Sequence, residues 1–340
     1  MIKFLVTQFV IAWLLLAPNA YGKIPEGLTG TLVVLNKQGD DASFIDLASG
    51  DLLATLPTGE GPHELVISDD GLWAVGTDYS GGDSLTVFDI QNLAVERTID
   101  LTQYPNPHGI LLMPDNKRVL VTSESSQNLV LVDFMNGEIV QSIGTEQSGS
   151  HMVALSEDGS TAFTSNGGSD SVSVIDLNKG KWVKTLDVPD SPEAITTNKA
   201  GNEIWVGSND EGTVSVISAV DGSTVAQFDG FTWAYRVLLS EDEKYAVIPD
   251  YRQHQLHIFD AQSKTGLGVM EMPSAGPQGV AWYSDDRTLF LSLSSQNKIL
   301  VVDIVSMQVL GEYPAGLSPD GIAYSRHVLS GKVSTDLLIH

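Results

Sequence analysis

The sequence predicts an all-β fold, a seven-bladed β-propeller with four antiparallel strands per blade. Three observations predict it. A short alternating run ending in Asp, or once in Ser, places that residue at 46, 89, 133, 176, 218, 260 and 303, in steps of 42 to 44 residues. A second marker keeps the same register: Gly61-Pro62-His63, Asn106-Pro107-His108, Gly149-Ser150-His151, Ser191-Pro192-Glu193, Trp233-Ala234-Tyr235, Gly276-Pro277-Gln278 and Ser318-Pro319-Asp320. Within each unit apolar residues alternate with period two, and turn residues recur about every 8–12 positions, the pattern of short antiparallel strands. A four-stranded repeat of this length is a propeller blade.

Each element follows from this register. Blade 3 shows it: the strand HMVALS, the turn EDGS, the strand TAFTSN, then SVSVIDL, the turn NKG and KWVKTLDV. The Asp-Gly and Asn-Gly pairs at Asp70-Gly71, Asn136-Gly137, Asp158-Gly159 and Asp221-Gly222 suit tight turns because those residues tolerate positive φ. The N-terminus supplies three strands (Thr31–Asn36, Ala42–Leu47, Leu52–Pro57) and the last marker only one, Pro319–Tyr324. Joining them completes the seventh blade, closes the ring and leaves no gap in it. The expected propeller occupies 23–327, with a tail at 328–340. Trp73, Trp182, Trp205 and Trp282 fall in repeat strands and are expected between blades.

Composition narrows the function. The chain has 340 residues, 42 % of them apolar, enough for a large core. Lys and Arg number 18 against 43 Asp and Glu, a net charge of −25, which repels phosphate backbones and disfavours nucleic acid as a partner. The absence of cysteine excludes disulfides, thiolate metal sites, covalently attached c-type haem, Cys nucleophiles and a lipoprotein anchor. Residues 1–22 read as a secretory signal peptide: Lys3, the apolar stretch Phe9–Ala17, and small residues at Ala20 and Gly22 before Lys23. Nine apolar residues are too few to span a bilayer. The mature protein is therefore expected in the periplasm or outside the cell, with no membrane insertion after cleavage.

The repeat, clearest from Phe163-Thr164-Ser165-Asn166 through Ser171–Leu177, resembles the YVTN-type seven-bladed β-propellers over residues 30–327. The resemblance implies the fold and export, and leaves activity open. Ser218 and Trp233-Ala234-Tyr235-Arg236 depart from its pattern.

The innermost strands of a propeller surround a channel, and their first residues crowd its mouth. The residue after each opening Pro, or its equivalent, reads His63, His108, His151, Glu193, Tyr235, Gln278 and Asp320 around the ring. With 7 His in the chain, chance would put far fewer than three in those positions. Three imidazoles and a carboxylate form a reasonable shell for Zn²⁺, Mn²⁺, Fe²⁺ or Cu²⁺, so His63, His108, His151 and Glu193 are the expected metal ligands. The plainer alternative is that these are polar residues bonding a neighbouring loop or a channel water.

A second ring lies on the same face, where strand two ends in Asn36, Asp78, Glu124, Asn166, Asn209, Asp250 and Ser294. Asp78 and Glu124 accompany His63 and His108, as orienting partners or general bases, or else as strand-end caps. Blade 5 adds Phe231, Trp233, Tyr235 and Arg236, with Tyr251, Arg252 and His254 on the next loop. Tyr235 and Arg236 are thus candidates to hold an anionic or cyclic ligand. His63-Glu64 opens like a zincin helix, but Ile67 replaces the second His in a strand.

These residues lead to a small-ligand site on a divalent metal at the channel mouth, possessing lyase or hydrolase chemistry if catalytic. Carotenoid oxygenases and oligogalacturonate lyases, propellers with axial His sites, are analogies at the level of fold. The alternatives are a non-catalytic scaffold for a periplasmic protein or the cell envelope, a metal carrier without turnover, and non-covalent haem on one ring His.

Overall fold

The computed structural model describes residues 23–272 and 275–329; the expected signal peptide and positions 330–340 lie outside them. The chain begins with β1 (Thr31–Asn36), β2 (Asp41–Asp46) and β3 (Leu52–Pro57). Six four-stranded blades follow. Blade 1 is β4 (Pro62–Ile67), β5 (Trp73–Asp78), β6 (Ser84–Asp89) and β7 (Ala94–Asp100), and blade 2 is β8 (Pro107–Leu112), β9 (Arg118–Ser123), β10 (Asn128–Asp133) and β11 (Glu138–Gly144). Blade 3 comprises β12 (Ser150–Leu155), β13 (Thr161–Asn166), β14 (Ser171–Asp176) and β15 (Lys181–Asp187). Blade 4 comprises β16 (Pro192–Thr197), β17 (Glu203–Ser208), β18 (Thr213–Ser218) and β19 (Thr224–Asp229). In blade 5, β20 (Leu238–Leu239) is short and leads β21 (Tyr245–Asp250), β22 (Gln255–Asp260) and β23 (Thr265–Glu271). Blade 6 is β24 (Pro277–Trp282), β25 (Thr288–Leu293), β26 (Lys298–Asp303) and β27 (Gln308–Pro314). The last strand, β28 (Pro319–Ser325), pairs antiparallel with β1, so blade 7 runs β28-β1-β2-β3 and joins both ends of the chain.

The middle two strands of the blades carry buried runs, as in Leu32–Leu35, broken in β22 by half-buried His257, because both faces pack against neighbouring blades. Valines and leucines of β5, β6, β9 and β10 join Phe134 between blades 1 and 2, and Trp205 fills the same role with Phe259 between blades 4 and 5. The fourth strand forms the rim and is largely exposed. Trp182 belongs there: it lies on β15 at 36 % exposure, not in the core where the sequence put it, because period-two alternation does not distinguish a rim strand from a middle one. Val328 and Leu329 lie beside Leu53 and Leu93 at the junction of blades 7 and 1.

One local device recurs at the start of the innermost strands. The residue before the opening Pro or Ser takes positive φ in six blades: Gly61 (59°), Asn106 (55°), Gly149 (69°), Ser191 (60°), Gly276 (58°) and Ser318 (55°). The two residues after the opener then slip out of register, between Pro62 and Leu65 in blade 1 and between Pro107 and Ile110 in blade 2. Such a bulge re-aims a side chain out of the sheet plane, here toward the axis. It also leaves a backbone N–H off the ladder. Strand-two hydroxyls accept it in four blades: Thr77 from Glu64, Thr122 from Gly109, Ser165 from Met152 and Ser292 from Gly279.

The bulges pack tightly against one another around the axis. A Cβ on Gly109 would stand 2.8 Å from Met152 Cα and 3.0 Å from the His151 carbonyl oxygen, both backbone atoms that cannot yield cheaply. Gly109→Ala is expected to destabilise the fold by about 1–3 kcal/mol through this overpacking. Thermal unfolding would measure it; an unchanged melting temperature would mean that blades 2 and 3 are not in this close contact.

Candidate functional site

The bulges bring the first residues of the innermost strands to one end of the channel. His63 and His108 are buried, their ring centroids 4.3 Å apart, and His108 lies 3.6 Å from His151. Three imidazoles from blades 1, 2 and 3 thus form a continuous arc. Asp320 flanks it on one side and Glu193 on the other.

Asp320 comes from the strand that closes the ring and is completely buried. Its Oδ2 accepts from the Tyr235 hydroxyl at 2.8 Å and stands 2.8 Å from His63 Nδ1 and 3.4 Å from Lys37 Nζ in ion-pair contact. Burial works against the carboxylate, but His63 and the charges of Lys37 and Arg236 hold it well below the usual range. Burial pushes the His63 imidazole down to about 4, against the pull of Asp320. A neutral imidazole with Nδ1 facing an ionised carboxylate carries its proton there and keeps its lone pair on Nε2. Burial also pushes Tyr235 well above its ordinary value, so it remains a donor.

His108 differs from both neighbours in having no carboxylate in ion-pair contact with either ring nitrogen among the described residues. It is completely buried, and neither ring nitrogen has a hydrogen-bond partner among the described residues. Burial, with His151 and His63 beside it, pushes its pKa well below the ordinary value. Two acceptors of the same ring, Asp320 Oδ1 and Gln278 Oε1, are likewise buried without partners. His151 is instead a cation at neutral pH. Burial opposes its charge, but Glu124 (3.6 Å from Nδ1) and Glu193 (3.4 Å from Nε2) raise it to about 9. Glu124 also accepts from the Tyr79 hydroxyl at 2.7 Å, and Glu193 from the Asn209 amide at 2.6 Å.

The second ring needs a correction of one residue. Strand two ends at Ser123, Ser208 and Leu293 in blades 2, 4 and 6, so Glu124, Asn209 and Ser294 are the first residues of the following loops. Their counterparts are Lys37, Tyr79, Gly167 and Tyr251, and the backbone N–H of all seven bonds to the carbonyl two residues before the first-ring residue of the same blade. Asp78 therefore belongs to a different set. It points into its own blade, accepting from Ser84 Oγ at 2.5 Å and Thr86 Oγ1 at 2.9 Å, as Asn166 bonds Ser171 and Ser173. The residue that reaches the imidazoles from that loop is Tyr79, stacked on His63 with centroids 5.2 Å apart and edge-on to His108 at 4.6 Å. A signal for this register exists in the sequence: nine residues before the strand-three Asp or Ser lie 37, 124, 167, 209, 251 and 294, and one extra loop residue in blade 1 moves the position to Tyr79.

Glu64 is the other missed residue. Among the described residues, His63, Glu64 and His108 form the group whose ligand atoms all lie within 4.8 Å of one another; His151 and Glu193 do not join it. Glu64 Oε1 also forms an ion pair with Arg236 Nη2. Blades 1 and 5 are not neighbours, so this pair spans the channel. Arg236 donates as well to the Tyr235 carbonyl at 2.6 Å, and burial lowers it only to about 10, so it stays charged. The pair borders a half-open pocket of about 280 Å³, walled by residues such as Leu65, Ile110, Val153, Ile195, Val237 and Ile322.

Blade 5 divides between core and mouth. Phe231 is buried against His257, with centroids 4.6 Å apart, and does not line the mouth. Arg252 lies over the Trp233 ring at 4.1 Å, and Tyr251 stands 5.9 Å from Tyr235. His254 Nδ1 accepts from the Gly276 N–H at 3.3 Å.

No protein-family model and no curated protein matches the chain. Solved structures do match it in fold. Hydrazine synthase of Kuenenia stuttgartiensis aligns with TM-score 0.68 and 17 % identity over 78 % of this chain and 90 % of that one. A functionally unknown protein from Desulfotomaculum acetoxidans DSM 771 gives 0.73 and 14 % over 87 % and 99 %. Dihydro-heme d1 dehydrogenase NirN, in complex with DHE, gives 0.66 and 17 % over 90 % and 77 %. At these identities the likeness is one of fold.

Two outcomes follow from the geometry. Burial raises Asp78 from 3.8 to about 6, so its ionised form opposes folding above about pH 6 and the penalty disappears below its unfolded value. Asp78→Asn is expected to melt higher than the wild type at pH 8, by the equivalent of about 1–3 kcal/mol, with the gap closed near pH 4. A gap that does not change with pH would contradict this burial. Asp320→Asn is expected to weaken the preference of His63 for the Nδ1–H tautomer in imidazole ¹⁵N–¹H spectra and to cost about 1–3 kcal/mol by removing the buried charge that faces His63 and the half-buried Lys37. An unaltered His63 signal would remove Asp320 as the orienting group.

Proposed function

We propose that this protein is an exported β-propeller that holds a divalent transition metal at the channel mouth on His63, His108 and Glu64, and presents it to a small ligand. The observation that carries this reading is His108: a completely buried imidazole with both nitrogens unpartnered. Such a group is costly unless something absent from the protein itself completes it. The His63–Glu64–His108 group is compact enough for one ion at about 2.0–2.2 Å from each ligand after small side-chain adjustments. The Asp320 contact with His63 Nδ1 leaves Nε2 for the ion, the carboxylate–histidine arrangement that orients metal-bound imidazoles. Two nitrogens and an oxygen suit Zn²⁺, Mn²⁺, Fe²⁺ or Cu²⁺.

His151 and Glu193, included in the ligand set on sequence grounds, take a supporting part in this proposal. Neither belongs to the compact His63–Glu64–His108 group, so the pair borders the site and sets its charge. When bound, the metal would polarise a carbonyl or carboxylate oxygen of the ligand, the basis of lyase or hydrolase chemistry. Tyr79 covers the imidazoles from the mouth, its hydroxyl kept protonated by burial and committed to Glu124. The recessed imidazoles favour an ion over a planar haem, whose axial ligand must stand clear of its surroundings. Periplasmic or extracellular location remains part of the proposal, supported by the leader-like residues 1–22 and the YVTN-type repeat.

Elemental mass spectrometry of protein purified without chelator tests the reading. The expected result is about one transition metal per chain, lost in His108→Ala and in His63→Ala and retained in His151→Ala. Wild-type protein that carries no metal and takes none up on titration would overturn it, leaving a scaffold for a protein or cell-envelope partner.

A further inference from the structure

The Glu64–Arg236 pair is not required by the repeat. The position after the first-ring residue is Gly109, Met152, Ala194, Gly279 and Gly321 in the other five blades. Only blades 1 and 5 place charge there, and the two charges meet across the channel. An enclosed ion pair is a weak source of stability, because desolvating both groups offsets their attraction. Glu64 is also the one carboxylate in the group that can hold a cation with His63 and His108. The same side chain therefore serves Arg236 and the metal position.

A cation taken up by His63, Glu64 and His108 draws the Glu64 charge away from Arg236. That would leave a guanidinium, 8 % exposed, with the Tyr235 carbonyl as its hydrogen-bond partner and only the more distant charge of Asp320 to balance it. A buried cation that loses its nearest counter-charge is destabilised. The space next to it is the 280 Å³ pocket, whose lining is otherwise aliphatic or neutral: Leu65, Ile110, Val153, Ile195 and Val280 among others, with Thr196 and Thr197. Its size falls at the small end of ligand pockets, which run from about 300 Å³ upward. An apolar body with one carboxylate matches both features, the chain against the aliphatic walls and the carboxylate paired with Arg236 in the fork geometry guanidinium prefers.

We propose that the ligand class of this site is a short apolar monocarboxylate, bound in the channel by Arg236 when the metal has engaged Glu64. This rests on the metal reading for its trigger, but not for the Arg236 pocket itself. Glu64 acts as a built-in occupant of the carboxylate position, and the metal releases it.

Isothermal titration with octanoate tests the exchange. Metal-free wild type is expected to bind octanoate at least about tenfold more weakly than zinc-loaded wild type, the worth of one charge-assisted pair. Glu64→Gln is expected to bind octanoate without any metal, because Arg236 is then open permanently. Arg236→Gln is expected to lose binding in every state, and octanol is expected to bind at least about tenfold more weakly than octanoate to the open forms. Folding of each variant is checked by its melting transition; Glu64→Ala replaces Glu64→Gln should the latter not fold. A folded Glu64 variant that binds no octanoate overturns the proposal. Octanoate binding by the Glu64 variant in a protein that takes up no zinc supports the Arg236 pocket and overturns the metal reading alone.

Discussion

Seven times around the molecule, the N–H of the first residue after strand two bonds to the carbonyl two residues before the first-ring residue of the same blade. In six blades that carbonyl belongs to a residue at positive φ, and the bond fixes where the chain bends from the loop into the bulge. The bulge then sends one side chain toward the axis and the next along the channel wall. Both rings of the candidate site hang from this bond, since it joins the backbone of Tyr79 to that of Gly61 and the backbone of Glu124 to that of Asn106. Without it the strands would still pair, but the side chains at the mouth would have no common level.

Ring closure places a second constraint on the same atoms. Asp320 and Lys37 stand at the two ends of the chain, brought together because β28 pairs with β1. Asp320 Oδ2 then ties blade 7 to His63 of blade 1 and to Tyr235 of blade 5. The most buried charge of the mouth is thus supplied by the last strand to be made, so a chain lacking that strand lacks both its closed ring and the orienting group of His63. Fold and site share one dependency.

Charges at the mouth are arranged in alternation. Lys37 faces Asp320, His151 lies between Glu124 and Glu193, and Glu64 meets Arg236. Each pairing sets an opposite charge beside a group whose burial disfavours ionisation. His108 stands in the middle of this arrangement with neither ring nitrogen hydrogen-bonded among the described residues, which is why it, and not the better-paired His151, carries the proposed metal reading. The strongly acidic surface implied by a net charge of −25 would draw cations toward such a mouth from a distance.

The repeat was legible in the residues themselves. Seven equivalent markers, period-two alternation and Asp-Gly turns determined the blade number, the strand order and the closure of the ring, because propeller strands pair with sequence neighbours and each blade buries the faces of the next. The first ring was legible for the same reason, since its members follow the opener of each repeat. What the tertiary structure decided was anything that depends on a one-residue offset or on blades distant in sequence. Asp78 and Tyr79 are adjacent in the chain, yet one bonds Ser84 and Thr86 inside its blade while the other covers His63. Glu64 reads as an ordinary strand residue until the ring sets it opposite Arg236, more than 170 residues away in sequence. Strand alternation determines only which of two faces a side chain takes; which atoms it meets there is decided by the curvature that bends the sheet arrangement into a closed ring.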